Sequence, residues 1–166
     1  MRFLILLLFF SFASIANVDL VNVDLVKVDL VKVDKSKNLM YLIKQGEVVR
    51  QYHIALGENP KGHKQRQGDE RTPEGRYILD YKKEDSSFYR AMHISYPNEV
   101  DLANAKQNGV SAGGLIMIHG QKNGREKLAP ITQQYNWTDG CIALTNEEMD
   151  EFMALVNVGT PIEIEW

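Results

Sequence analysis

The 166-residue chain is 44% hydrophobic and 25% charged, the balance of one compact domain with a real core, which excludes a disordered or fibrous chain. Its 19 lysines and arginines are outnumbered by 22 acids, for a formal charge of -3. They are also scattered, so no basic stripe exists for a nucleic-acid backbone and nucleic acid is excluded as a partner. In chain order, Met1 and Arg2 give a short positive start, 3–12 is almost wholly apolar, and Ser14-Ile15-Ala16 supplies the small residues preferred before a cleavage point. This pattern reads 1–16 as a secretory signal peptide. The apolar run is shorter than the about 20 residues that a membrane helix needs, so the mature protein is expected to be exported, in the periplasm or cell envelope.

A pentad repeat follows, Val-Asp-Leu-Val-Asn and then Val-Asp-Leu-Val-Lys twice. An odd period reverses the facing of alternate units, so the repeat cannot form one amphipathic strand. We read 17–30 as a tether and 31–166 as the domain, with the last copy running into the first strand. Segments 39–44 and 48–56 around the Gln45-Gly46 turn predict a hairpin. A polar stretch, 57–71, leads to Thr72-Pro73-Glu74-Gly75, whose Pro and Gly positions predict a type I turn. Strand 76–81 comes next, then a loop over 82–88, a short strand at 93–96 and a helix over 99–108. The apolar run 115–118 predicts a buried strand delivering His119 at its end. Thr145 and Glu148 form a capping-box pair, and Met149, Phe152, Met153 and Val156 mark one helical face. Gly159 ends that helix, and the alternation of Ile162 and Ile164 predicts a terminal strand. The fold class expected is mainly β, with one clear helix near the C-terminus.

The chain has a single cysteine, which excludes an internal disulfide and leaves a free thiol in an oxidising compartment. Cys141 follows an Asp139-Gly140 turn and precedes an apolar run. Glycine permits close backbone approach there, and neighbouring amides can face the oxyanion of a tetrahedral intermediate. A thiol needs a base to attack at neutral pH, and His119 is the leading candidate. A buried, inert thiol is the competing reading of the same residues. Zinc is disfavoured: His53, His63, His93, His119 and Cys141 include no closely spaced pair, so no metal and no cofactor is expected. His53 and His63 are read as solvent-facing.

The segments Ile116-Met117-Ile118-His119-Gly120 and Thr138-Asp139-Gly140-Cys141-Ile142, followed by Asn146 and preceded by Arg71-Thr72-Pro73-Glu74-Gly75, resemble the signature of the L,D-transpeptidase catalytic domain. The resemblance covers about 31 to the C-terminus. It implies a β-sandwich-like fold and a cysteine enzyme acting on peptidoglycan stem peptides, with no metal or organic cofactor. By position, Cys141 matches the nucleophile, His119 the general base, Gly140 and Cys141 the oxyanion donors, and Thr138 the motif's Ser or Thr. Asp139 stands where the common motif has His, and a carboxylate there opposes thiolate formation. Thr138, Asp139, Arg71 and His93 are the expected substrate-binding residues. The Trp-Thr-x-Gly-Cys-Ile-Ala form is similar to a hydrolytic branch that releases wall-linked lipoprotein, so hydrolysis competes with transfer to an amine. A catalytically silent wall-binding module is the rival from another class. Nothing in the sequence demands more than a monomer.

Overall fold

A computed structural model describes residues 27–166. The leader expected over 1–16 and the repeat copies before Lys27 lie outside the described residues. The last copy runs into strand β1, Leu30–Asp34, where Val31 and Val33 are fully buried and Leu30, Lys32 and Asp34 are half-exposed, the period-two alternation of a strand with one face inward. Val28 is already buried, and its amide donates to Leu155 O at 3.2 Å. Strands β2, Leu39–Lys44, and β3, Glu47–His53, form the expected hairpin beside β1. Gln45 and Gly46 both have positive φ at the turn.

Strand β4 spans Gly75–Ser86 and β5 spans Tyr89–Ile94. Two expectations are corrected here. The segment 82–88 is not a loop but most of the outer half of a long hairpin, and β5 starts four residues before the strand expected at 93–96. Lys82, Lys83, Glu84 and Asp85 hide the strand from composition, yet Lys82 pairs with Met92, Lys83 with Ala91 and Ser86 with Tyr89 in the β5 ladder. The turn expected at 72–75 does not form either, and that segment feeds directly into β4. Helix α1 is Glu99–Gln107, capped by Asn98, whose side chain accepts from the amides of Val100 and Asp101. Strand β6, Met117–His119, and β7, Ile142–Ala143, flank an excursion that contains a short helix α2, Ala129–Thr132. Helix α3, Asn146–Leu155, has the predicted capping box: Glu148 N donates to Thr145 Oγ1 at 3.2 Å and Thr145 N to Glu148 Oε2 at 2.9 Å. Strand β8, Pro161–Glu165, closes the chain.

The strands form one ladder in the order β3-β2-β1-β8-β4-β5-β6-β7. Strand β4 belongs to both halves, pairing with β8 over 75–78 and with β5 from Leu79 onward, so the sheet folds over at that point. Beyond β3 the chain bridges Ala55 to Ala143 and Gly57 to Thr138. These bridges join the far edges of the ladder and give the β-sandwich-like enclosure that leaves little open edge. Phe152, Met40, Leu42, Leu79, Met92, Ile118 and Leu144 fill its interior with no exposure. A fully buried Phe or Leu contributes about 2 to 3 kcal/mol. Buried Met149, Phe152, Met153 and Val156 provide the face that seats α3 in this core.

Candidate active site

The parallel register of β6 and β7 pairs Ile118 with Ile142 and His119 with Ala143. One step back brings Cys141 beside Met117, whose amide approaches Cys141 Sγ at 3.4 Å. Side chains two apart on a strand share a face, so Met117, His119 and Cys141 project to the same side. Across the sheet, the residue opposite His119 is Ala91, and its small side chain leaves space. The result is a cavity of about 270 Å³ lined by Phe88, Ala91, Leu115, Met117, His119 and Trp137 with Ser86, Thr138, Asp139 and Cys141. Four residues singled out in the sequence therefore meet there: Cys141, His119, Thr138 and Asp139.

His119 is only 4% exposed. Its ring lies 4.6 Å, centroid to centroid, from Phe88 and 5.7 Å from Trp137. Nδ1 lies 2.7 Å from Gly120 O. A carbonyl only accepts, so Nδ1 carries the proton and Nε2 keeps the lone pair, the tautomer that a base requires. Burial lowers the His119 pKa from its ordinary value, partly opposed by that hydrogen bond. Gly120 is required for this fit, since a Cβ there would lie 2.7 Å from Asn146 Oδ1. That oxygen accepts the Gln121 amide at 2.8 Å.

Burial raises the Cys141 thiol pKa, the Met117 amide opposes this, Asp139 adds to it, and Lys64 draws it back. A raised thiol and a lowered imidazole both favour the neutral forms at rest. Replacing the Asp139 carboxylate should release part of the thiol's resistance to ionisation. Asp139→Asn is expected to increase Cys141 alkylation by iodoacetamide about threefold at neutral pH, a modest surface-charge effect. The rate of mass gain measures it, and an unchanged or slower rate would show that Asp139 does not suppress the thiolate.

The turn before Cys141 is internally hydrogen-bonded. Gly140 N donates to Thr138 Oγ1 at 3.1 Å, and Thr138 Oγ1 donates to Cys141 O at 2.7 Å. The Gly140 amide is thus engaged within the turn. Thr138 is buried and holds the turn together. Gly140 has φ +129°, and a Cβ would stand 2.6 Å from Arg71 O, so close packing against the 57–74 segment fixes glycine here.

The structure separates the other expected residues from the cavity. Arg71 lines a different hollow with Asn59, Gln65, Arg66, Gly68 and Asp69, and only its backbone carbonyl abuts Gly140. His93 is opposite Met117 in the ladder, but its ring is held by Asp80 at 2.7 Å and stacked on Tyr81. His63 is not solvent-facing as expected: Nδ1 accepts the Glu74 amide at 3.0 Å, and Nε2 meets the buried Asp101 at 3.0 Å. Sequence reasoning missed Phe88, hidden in the supposed loop, and Lys35. Lys35 is 1% exposed, and its Nζ donates to Gly62 O, Thr72 O and Glu74 Oε1 at 2.9, 2.8 and 3.0 Å. It ties the 57–74 segment to the sheet.

The family model for the L,D-transpeptidase catalytic domain matches residues 29–164. YafK of Escherichia coli (strain K12) is 32% identical over 127 residues, 74% of this chain and 44% of YafK, so the chain spans less than half the length of that relative. Among solved structures, the helical cell shape determining protein Pgp2 of Campylobacter jejuni superposes with a TM-score of 0.60 at 27% identity, over 83% of this chain and 47% of that one. The Enterococcus faecium L,D-transpeptidase C442S mutant shares the fold alone, with a TM-score of 0.54 at 18% identity over 84% of this chain and 50% of that one. With the model matching nearly all of the described residues, the chain belongs to the L,D-transpeptidase catalytic domain family.

Proposed function

We propose that the chain is a cell-envelope cysteine acyltransferase that acts on peptidoglycan stem tetrapeptides. The observation that carries the reading is His119, with its lone pair at Nε2, in one cavity with the only thiol. Nε2 takes the Cys141 proton as sulfur attacks the amide carbonyl. The S–C bond forms, and the Cys141 amide supports the oxyanion. His119 then protonates the departing amine as the C–N bond breaks. In the second half the same histidine takes a proton from the incoming amine as its nitrogen bonds to the acyl carbon, and returns it to the Cys141 sulfur as the S–C bond breaks. The leader-like start supports export to the periplasm, and the family supports peptidoglycan as substrate. Wall-linked lipoprotein is a further candidate substrate, through the resemblance at Trp137 to Ala143. No step requires a metal or cofactor, and nothing in the mechanism calls for more than a monomer.

The test is intact mass and product analysis after incubation with disaccharide-tetrapeptide, with and without an added D-amino acid. A covalent adduct or processed muropeptide is expected, and Cys141→Ala should abolish both. A transfer product establishes the acyltransferase. Tripeptide alone assigns the hydrolytic outcome, an L,D-carboxypeptidase or amidase. No adduct and no product from folded protein would sink the reading in favour of the silent wall-binding module.

A further inference from the structure

Phe88 and Trp137 form a wall with a cavity on each side. One is the thiol cavity. The other, about 260 Å³, is lined by Phe88, Gln121, Lys122, Arg125, Thr132 and Trp137, and no motif in the sequence singled out its polar residues. Its chemistry follows from which groups are already occupied. Gln121 is engaged at both ends: its Nε2 donates to Leu144 O at 2.7 Å and to Gln133 Oε1 at 3.3 Å, and its Oε1 accepts from Thr132 Oγ1 at 2.9 Å. Lys122 and Arg125 are exposed, and among the described residues neither takes part in an ion pair. The neighbouring Glu126 is turned to the Gly124 amide at 2.8 Å and is not on the lining. Trp137 Nε1 is buried without an acceptor, a state that costs free energy unless a bound atom completes it.

Lys122 and Arg125 are thus the charged groups on this lining, and both are cationic donors. An ammonium and a guanidinium beside one small space suit a planar oxyanion, to which arginine can bond through two parallel N–H groups. The shared Phe88 and Trp137 wall sets this space directly beside the thiol cavity. We propose that this cavity is a carboxylate-binding pocket, selecting substrates that carry a carboxylate on an arm reaching past Phe88 and Trp137. The assignment rests on Cys141 being the nucleophile.

The test uses chloroacetylated glycine, β-alanine and γ-aminobutyrate, each beside its primary amide, with Cys141 labelling followed by intact mass. At one arm length, the carboxylate probe is expected to react about fivefold faster than its amide, an advantage of the size charge pairing supplies at an exposed site. Raised salt should shrink it. In a Lys122→Ala, Arg125→Ala double variant the advantage should vanish while the amide rates stay the same, because both side chains are exposed and outside the thiol cavity. Equal rates at every arm length, or an advantage that survives the double variant, overturns the pocket. A phosphonate probe of matched length that outpaces the carboxylate also overturns it, in favour of phosphate. If no probe labels the native protein while the unfolded chain labels fully, the nucleophile reading itself falls and takes the pocket with it. That outcome is distinct from labelling without charge preference.

Discussion

Replacing His119 with Gln is expected to slow acylation of Cys141 by about a thousandfold, the middle of the range for loss of a general base. The expectation follows from the two resting states. Burial raises the thiol pKa from its ordinary 9.0 and lowers that of the imidazole from 6.5, so almost no thiolate exists at neutral pH without transfer to Nε2. In the native protein, activity should persist on acidification until the pH falls through the lowered imidazole value, because only the neutral ring accepts the proton. In His119→Gln the residual rate should instead climb steadily with pH, since thiolate then arises only by direct ionisation. Single-turnover adduct formation across a pH series measures both. Equal rates for the two proteins at neutral pH would remove His119 from the chemistry, whereas a collapse of folding, read by thermal unfolding, would show a packing role against Phe88 and Trp137 instead.

Lys35→Met is expected to destabilise the domain by about 3 kcal/mol, measured by urea unfolding. Methionine retains most of the volume, so the loss isolates the polar contribution. Two backbone carbonyls, Gly62 O and Thr72 O, would lose their donor, and the Glu74 carboxylate would lose its cation. These oxygens belong to the segment whose Arg71 carbonyl packs against Gly140, so alkylation of Cys141 should change as well. The pH dependence has a definite sign. Burial lowers the Lys35 pKa from 10.5, so the unfolded chain binds the proton more readily than the folded one. Stability from this group is present above 10.5 and is lost as the pH falls through the folded value. Because the variant lacks this titration, its deficit should widen as the pH rises toward 10.5. A gap that narrows would mean that Lys35 is bound as a favoured cation rather than a penalised one.

Much of the fold was legible because it is local. The capping box at Thr145 and Glu148 satisfies helix amides within one turn, and the apolar run from Leu39 to Ile43 ahead of the Gln45-Gly46 turn marks a hairpin strand. Segment 82–88 failed because a solvent-facing hairpin arm needs no apolar residues, and its ladder partner lies in β5. The run 115–118 misled in part: Leu115 is 74% exposed with positive φ, and β6 begins only at Met117. The missing turn at 72–75 has a similar origin, since buried Lys35, in the 3-10 turn just after β1, holds Thr72 and Glu74.

The sequence by itself determined the nucleophile and base candidates, the order of the motifs and the family, because these depend on residue type and spacing along one chain. Tertiary structure alone decided which of the marked residues share a cavity. The β6 and β7 register unites His119 with Cys141, while Asp80 and Tyr81 hold the His93 ring and Arg71 lines a separate hollow. It also decided that Gly140 spends its amide on Thr138, and that Lys122, Arg125 and Trp137 surround one space. Hydrogen-bond occupancy and burial are properties of contacts between distant segments, and those contacts exist only once the ladder closes on itself.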